Sequence, residues 1–295
     1  MTGTTASTAS TAGTAATEPT LDADRAAAYL RRLGEPPGAV PDNGLPAGGA
    51  PLDGGALARL HRAHLLAVPF ENLAVHLGEP IVLDVPALVT KLVDRHRGGF
   101  CYELNGAFAA LLRTLGADVR HVAARVHTGD GAFSPPFDHL ALVVRTPAGD
   151  GPWLVDVGFG DHSVHPLRLD DRGEQHDAGG VFRLVDVEDG DVEVRRDGAP
   201  QYRVELRPRR LTDFGPTSWY QQTSPASHFT RSLVCSRLTD DGRVTLSGSR
   251  LVTTVAGARS ERVLESDGAV LAAYRDLFGI TLDRVPRVRE APTTP

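Results

Sequence analysis

At 295 residues, with 41% hydrophobic and 23% charged side chains, the chain has the apolar material for a substantial core without disulfide staples, which excludes wholesale disorder and a fibrous repeat. The net charge of −6 excludes a protein-wide basic field, and no dense Lys/Arg stripe with interleaved aromatics offers nucleic acid a local groove. No apolar run is long enough to span a bilayer, so no membrane partner is expected.

The Thr/Ala/Ser-rich start lacks the basic and Leu-rich segments of a secretory signal and reads as a disordered tail over residues 1–20. With two cysteines far apart in the chain, reduced thiols in a cytoplasmic protein are the expectation. Asp22 caps a helix over 23–33, and a Pro/Gly-rich connection over 35–55 follows. Leu57, Leu60, His64 and Leu65 recur at helical spacing over 56–67, where Val68-Pro69 forces extended backbone. Asp84 caps a further helix over 85–95. After Arg97-Gly98-Gly99-Phe100, the stripe Leu104, Phe108, Leu111, Leu112 and Leu115 defines a helix with Cys101 in its first turn.

Beyond Gly116 the apolar period changes to two, predicting strands over 122–126, 139–145, 153–157, 181–187, 191–196 and 202–206, an antiparallel sheet or barrel. A helix over 213–223, strands over 231–237 and 243–254, and a last helix from Ser266 to Gly279 complete a mixed segment. The order is helices, then sheet, then mixed α/β.

A cysteine is a useful nucleophile only as thiolate, and the unpaired amides of a helix start favour that form, as does a nearby imidazolium. Cys101 has the helix start by position, and the same amides are candidates for an oxyanion hole. The imidazole belongs on a rigid element, held by a carboxylate. His139 opens a strand, and Asp156 lies in the next apolar run, where an unpaired carboxylate would be costly to bury. On spacing alone, His121 and His127 remain alternatives to His139. Cys235, in a β-like run without a helix start, reads as inert packing. His61 with His64, and His162 with His165, have permissive metal spacing, but no second cluster completes a zinc shell, and no metal is expected.

Several motifs in order carry a family resemblance: Val68-Pro69-Phe70-Glu71-Asn72-Leu73, Arg97-Gly98-Gly99-Phe100-Cys101-Tyr102-Glu103-Leu104-Asn105, Asp138-His139-Leu140 and Asp156-Val157-Gly158-Phe159-Gly160. Tyr220-Gln221-Gln222-Thr223-Ser224-Pro225-Ala226-Ser227-His228-Phe229, Cys235-Ser236 and Thr245-Leu246-Ser247-Gly248 extend it. The sequence is similar to the arylamine N-acetyltransferase family from about Leu21 to the final helix. The resemblance implies an α+β fold: an N-terminal helical bundle over 21–115, a central antiparallel β-barrel over 116–207 and a C-terminal α/β lid over 208–295, in a papain-like thiol-enzyme arrangement.

It also implies a catalytic triad of Cys101, His139 and Asp156, and a ping-pong transfer of acetyl from acetyl-CoA to an arylamine, arylhydrazine or arylhydroxylamine in a cytoplasmic enzyme, monomer or homodimer. Glu71 and Arg97 are expected to pair beneath the site. Phe70, Phe137 and Phe159, with Gly158 and Gly160 around the last, are the candidate walls for an aromatic acceptor. Tyr220, Thr223, Ser224 and Ser227 are candidates for gripping CoA, although Ala226 stands where some relatives carry threonine. Arg207, Arg209 and Arg210 are a second possible phosphate contact, against the plainer reading of a solvated charge run. The same triad also fits an amide synthase that closes a macrolactam from a carrier-protein thioester, a thiol hydrolase, or a silent small-molecule binder.

Overall fold

Helix-capping aspartates start the first two elements of the computed structural model, which describes residues 19–35, 51–129 and 131–288. The tail expected over 1–20, apart from Pro19 and Thr20, and most of the Pro/Gly-rich connection lie outside the described residues. Asp22 accepts the Arg25 amide at the head of α1 (Ala23–Arg32), and Asp53 accepts the Ala56 amide at the head of α2 (Gly54–Ala67). A short strand β1 (Phe70–Glu71) and helix α3 (Leu73–Leu77) follow. The helix expected over 85–95 divides into α4 (Val85–Val89) and a π-helical turn over Thr90–Asp94, closed by the Arg95 amide on the Thr90 carbonyl at 3.1 Å. Helices α1, α2 and α4 and the π-helical turn share one core with α5 (Cys101–Thr114), whose residues from Cys101 to Leu112 are buried on every face, while Leu73 of α3 joins the core of the last segment.

An eight-stranded antiparallel sheet follows, with strands β2 (Asp118–Val126), β3 (His139–Arg145), β4 (Trp153–Val155), β5 (Leu167–Arg168), β6 (Glu174–Asp177), β7 (Gly180–Asp186), β8 (Val192–Arg196) and β9 (Ala199–Arg209). Their order across the sheet is β5-β4-β3-β2-β9-β8-β7-β6, so the two edge strands are neighbours in the chain. Gln175 on β6 ties them: its amide oxygen accepts the Arg168 N–H at 2.7 Å and its amide nitrogen donates to the Arg168 carbonyl at 2.9 Å. The sheet therefore rolls into a nearly closed barrel, with Val122, Leu154, Leu167, Phe182, Val194 and Tyr202 in one shared core.

Two departures from the periodicity matter. Strands β5 and β6 were not anticipated, because a Leu-Arg pair and Glu-Gln-His-Asp carry no apolar alternation. Strand β4 ends at Val155, which releases Asp156 from the ladder into a turn.

The last segment holds α6 (Gly215–Thr223), α7 (His228–Arg231), β10 (Cys235–Thr239), β11 (Gly242–Ser247), β12 (Arg250–Val255), β13 (Ala258–Val263) and α8 (Asp267–Phe278). The single strand expected over 243–254 is a hairpin that reverses between Ser247 and Arg250. Strand β13 is exposed throughout and reads ARSERV, so no apolar pattern announced it. The five-stranded sheet runs β1-β10-β11-β12-β13, with Glu71 opposite Cys235, so the helical part of the chain supplies its edge strand.

Candidate active site

Close backbone contact sets the start of α5. A Cβ on Gly98 would stand 1.9 Å from the Pro69 carbonyl oxygen, and the Glu71 amide bonds the Gly99 carbonyl at 2.9 Å. The segment before Cys101 is thus pinned to β1. Within the first turn, Glu103 reaches back to accept the Phe100 N–H at 3.2 Å, and its other oxygen receives Lys91 at 2.5 Å across from the π-helical turn. Lys91 is the one lysine in the chain.

Cys101 is buried, with its sulfur 3.9 Å from the Asp138 carbonyl and near enough to the His139 ring to favour the ring's charged form. His139 Nε2 lies 2.7 Å from Asp156 Oδ2, which leaves Nδ1 for the thiol. Burial alone would hold the imidazole neutral. The Asp156 charge and hydrogen bond, helped by Cys101, outweigh burial and push the His139 pKa up to about 10. Burial would likewise raise the Asp156 pKa, but the facing imidazole and the Asn105 amide hold it well below the usual carboxylate range.

Asn105, which the motif reading quoted but gave no role, organises this carboxylate. Its amide donates to Asp156 Oδ1 at 2.9 Å and to the Leu140 carbonyl at 2.7 Å, and its oxygen accepts the Val157 N–H at 3.0 Å. The signal was its position four residues after Cys101, on the same helix face. Gly158 N–H also donates to Asp156 Oδ1 at 2.9 Å. A Cβ on Gly158 would stand 2.7 Å from the Cys101 Cα, so the turn that releases Asp156 fits against α5 only as glycine. From the other side, His61 Nε2 accepts the Asp156 N–H at 3.4 Å while Nδ1 donates to the Val164 carbonyl at 2.9 Å.

A cavity of about 520 Å³ opens over Cys101 and His139. Phe70, Gly158, Phe159, Tyr220 and Ser227 line it, as do Asp138, Gln221, His228 and Phe229, which the motifs contain without a role, and Ser134 and Arg231, which lie outside them. Phe159 stands edge-on to the His139 ring at 5.3 Å. Phe137, Gly160, Thr223 and Ser224 do not belong to this lining. Phe137 packs edge-on against Phe214 at 5.3 Å with the Arg209 guanidinium 4.7 Å from its ring, and Gly160 faces the Phe70 ring. Three of the four late-motif hydroxyls have internal partners: Thr223 donates to the Trp219 carbonyl, Ser224 accepts the Ala226 N–H, and Ser227 bonds Gln221 while capping α7.

Beneath the site Arg97 Nε donates to Glu71 at 3.0 Å, with both side chains buried, and Arg97 also bonds Glu79 at 3.0 Å. Burial pushes the Glu71 pKa up, but Arg97, Lys91 and the Leu73 amide outweigh it and lower the result. Cys235 is fully buried, and burial pushes its thiol pKa well up.

The competing histidines are committed elsewhere. His121 is buried in β2, where burial and Arg113 hold its pKa down to about 3, and His127 accepts the Gly129 amide in a loop. His64 bonds the Tyr29 hydroxyl at 2.9 Å, and His165 pairs with Asp177. Among the described residues no group of three or more His, Cys, Asp or Glu is arranged to hold a metal ion.

A family model described as N-acetyltransferase matches residues 54–287. An arylamine N-acetyltransferase of Mycolicibacterium smegmatis is 38% identical over 237 residues, which span 78% of this chain and 86% of the relative. Among solved structures, the M. smegmatis arylamine N-acetyltransferase superposes with a TM-score of 0.78 at 35% identity, covering 90% of this chain and 98% of its own. The Mycobacterium marinum arylamine N-acetyltransferase in complex with CoA does so with a TM-score of 0.75 at 35% identity, covering 86% and 92%. A thiol at the head of a buried helix, an imidazole–carboxylate pair facing it and likeness along most of the chain converge: this protein belongs to the arylamine N-acetyltransferase family.

Proposed function

We propose that the protein transfers acetyl from acetyl-CoA to an arylamine, arylhydrazine or arylhydroxylamine by a ping-pong mechanism through acetyl-Cys101. The observation that carries this reading is the His139 ring, 2.7 Å from Asp156 and sharing one cavity with Cys101, which favours its charged form. The M. marinum relative's complex with CoA supports the donor.

In the first half-reaction the Cys101 thiolate, paired with a protonated His139, attacks the thioester carbonyl. The oxyanion of the tetrahedral intermediate faces the first-turn amides of α5, and CoA departs as its thiol with the proton from His139. In the second half the acceptor nitrogen or oxygen attacks the acetyl carbonyl, the neutral His139 accepts and keeps its proton, and the sulfur leaves as thiolate, which restores the pair. Asp156 holds the ring in one tautomer and stabilises its charge throughout, as Asn105 and Gly158 hold Asp156. Phe70 and Phe159 provide flat apolar walls for the acceptor ring, and Tyr220 and Ser227, on the same lining, are the groups offered to CoA.

Intact mass after incubation with acetyl-CoA is expected to show one acetyl group on Cys101, discharged by an added arylamine. An adduct lost to water at the same rate without amine would instead indicate a hydrolase. The absence of any adduct would remove acetyl-CoA as the donor.

A further inference from the structure

The cavity wall carries one carboxylate that the transfer derived above does not use. Asp138 precedes His139 and lines the cavity with Cys101, Phe159 and Gln221. Its backbone carbonyl receives the Tyr102 hydroxyl at 2.9 Å and faces the Cys101 sulfur at 3.9 Å, so this residue stands beside the reacting atom. Its side chain accepts the Gln221 amide from α6 and the Ser134 hydroxyl, both neutral donors, and the cation acting on it is His139.

A carboxylate donates nothing and offers about four lone-pair sites, so two neutral donors leave acceptor capacity unused. An aromatic acceptor must enter this cavity to reach Cys101. The geometry points to Asp138 as a specificity-determining residue that favours aromatic acceptors bearing a second hydrogen-bond donor or a positive charge and disfavours those bearing a carboxylate. The inference rests on the acyl-acceptor reading of the cavity and deepens it by naming the acceptor class. Two groups on the lining act in the opposite sense. Arg231 and His228 come from α7, with Arg231 Nε on the Ser227 carbonyl at 3.2 Å and His228 Nε2 at the Ser232 hydroxyl at 2.9 Å. Both are exposed, whereas Asp138 is half-buried and its backbone carbonyl sits against the thiol. Burial raises the Asp138 pKa by more than Ser134, His139 and Gln221 lower it, so the binding test is run at about pH 8 to favour the ionised form.

The test is calorimetric binding of three para-substituted anilines to the resting enzyme: para-aminobenzoate, para-aminobenzamide and para-aminobenzamidine. The wild type is expected to bind the amidine best and the benzoate worst. Asp138→Asn keeps the side-chain size and an acceptor for Gln221, and is expected to shift the benzoate-to-benzamidine affinity ratio about tenfold toward benzoate. Asp138→Ser, which removes the charge with less bulk, should shift it in the same direction. A ratio unchanged from wild type in the folded variants overturns the assignment. Because binding needs no turnover, failure to form acetyl-Cys101 would sink the acetyl-transfer reading alone and leave this ratio to decide on Asp138.

Discussion

Asn105 and Asp156 meet at 2.9 Å, so the helix that carries the thiol also fixes the carboxylate that orients its imidazole. The nucleophile and the Asn105 amide that holds the orienting acid are thus one helical turn apart on α5, and the strand-end turn at 156–158 docks onto that turn.

Replacing Asn105 with Ala leaves Asp156 Oδ1, the Leu140 carbonyl and the Val157 amide short of a partner in a buried site. A stability loss of about 1–3 kcal/mol and a fall in kcat/KM of about tenfold or more are expected. Urea melts and steady-state kinetics measure the two, and unchanged kcat/KM would deny Asn105 its positioning role.

The two thiols differ in surroundings, so they should differ in reactivity. Cys101→Ala is expected to abolish acyl transfer, and Cys235→Ala to leave turnover nearly intact. Iodoacetamide on the folded wild type should label Cys101 and spare Cys235, whose full burial both shields the sulfur and keeps it protonated. His139→Ala should slow that labelling near neutral pH. Peptide mapping reads both outcomes, and equal rates in wild type and His139→Ala would remove the ion pair from the mechanism.

The pair also makes stability depend on pH in a stated direction. His139 has its pKa raised from an ordinary 6.5 to about 10, so its contribution is full below 6.5 and is lost as pH rises toward 10. Asp156 has its pKa lowered from 3.8, so its contribution is full above that value and is lost as pH falls below it. The stability difference between wild type and His139→Gln should therefore be largest between these ordinary values of 3.8 and 6.5 and shrink toward pH 10. Denaturant midpoints across a pH series test this, and a difference that grows toward alkaline pH would contradict it.

Glu71 and Arg97 are both buried, so removing one partner leaves the other uncompensated. Glu71→Gln is expected to cost about 3–5 kcal/mol. Arg97→Met should cost a similar amount, and the double variant less than the two combined. A double-mutant cycle by chemical denaturation measures the coupling, and strictly additive losses would mean that the pair contributes nothing as a pair.

Much of the local structure was legible residue by residue. The caps at Asp22, Asp84 and Ser266, the stripe from Leu104 to Leu112 and the alternation in β2 and β3 are short-range signals, and each element formed where its signal stood. Cys101 at a helix start and His139 at the head of a strand follow from the same signals. Elements without such a pattern went unseen: β6 and β13 are polar, and their strand geometry comes from the neighbours that pair with them.

Side-chain partners belong to a different class of information. Which hydroxyls face the cavity, that Phe137 turns toward Phe214, that Asn105 rather than a strand neighbour holds Asp156, and that Asp138 stands beside the thiol all depend on how α5, the barrel end and α6 pack. Local propensity acts over a few residues, whereas these contacts join groups between 35 and 83 positions apart. Local sequence specified the capped and patterned helices and strands and where the reactive side chains fall on them. Packing, through the end of β4 at Val155 and the close approach at Gly158, decided which of those side chains meet.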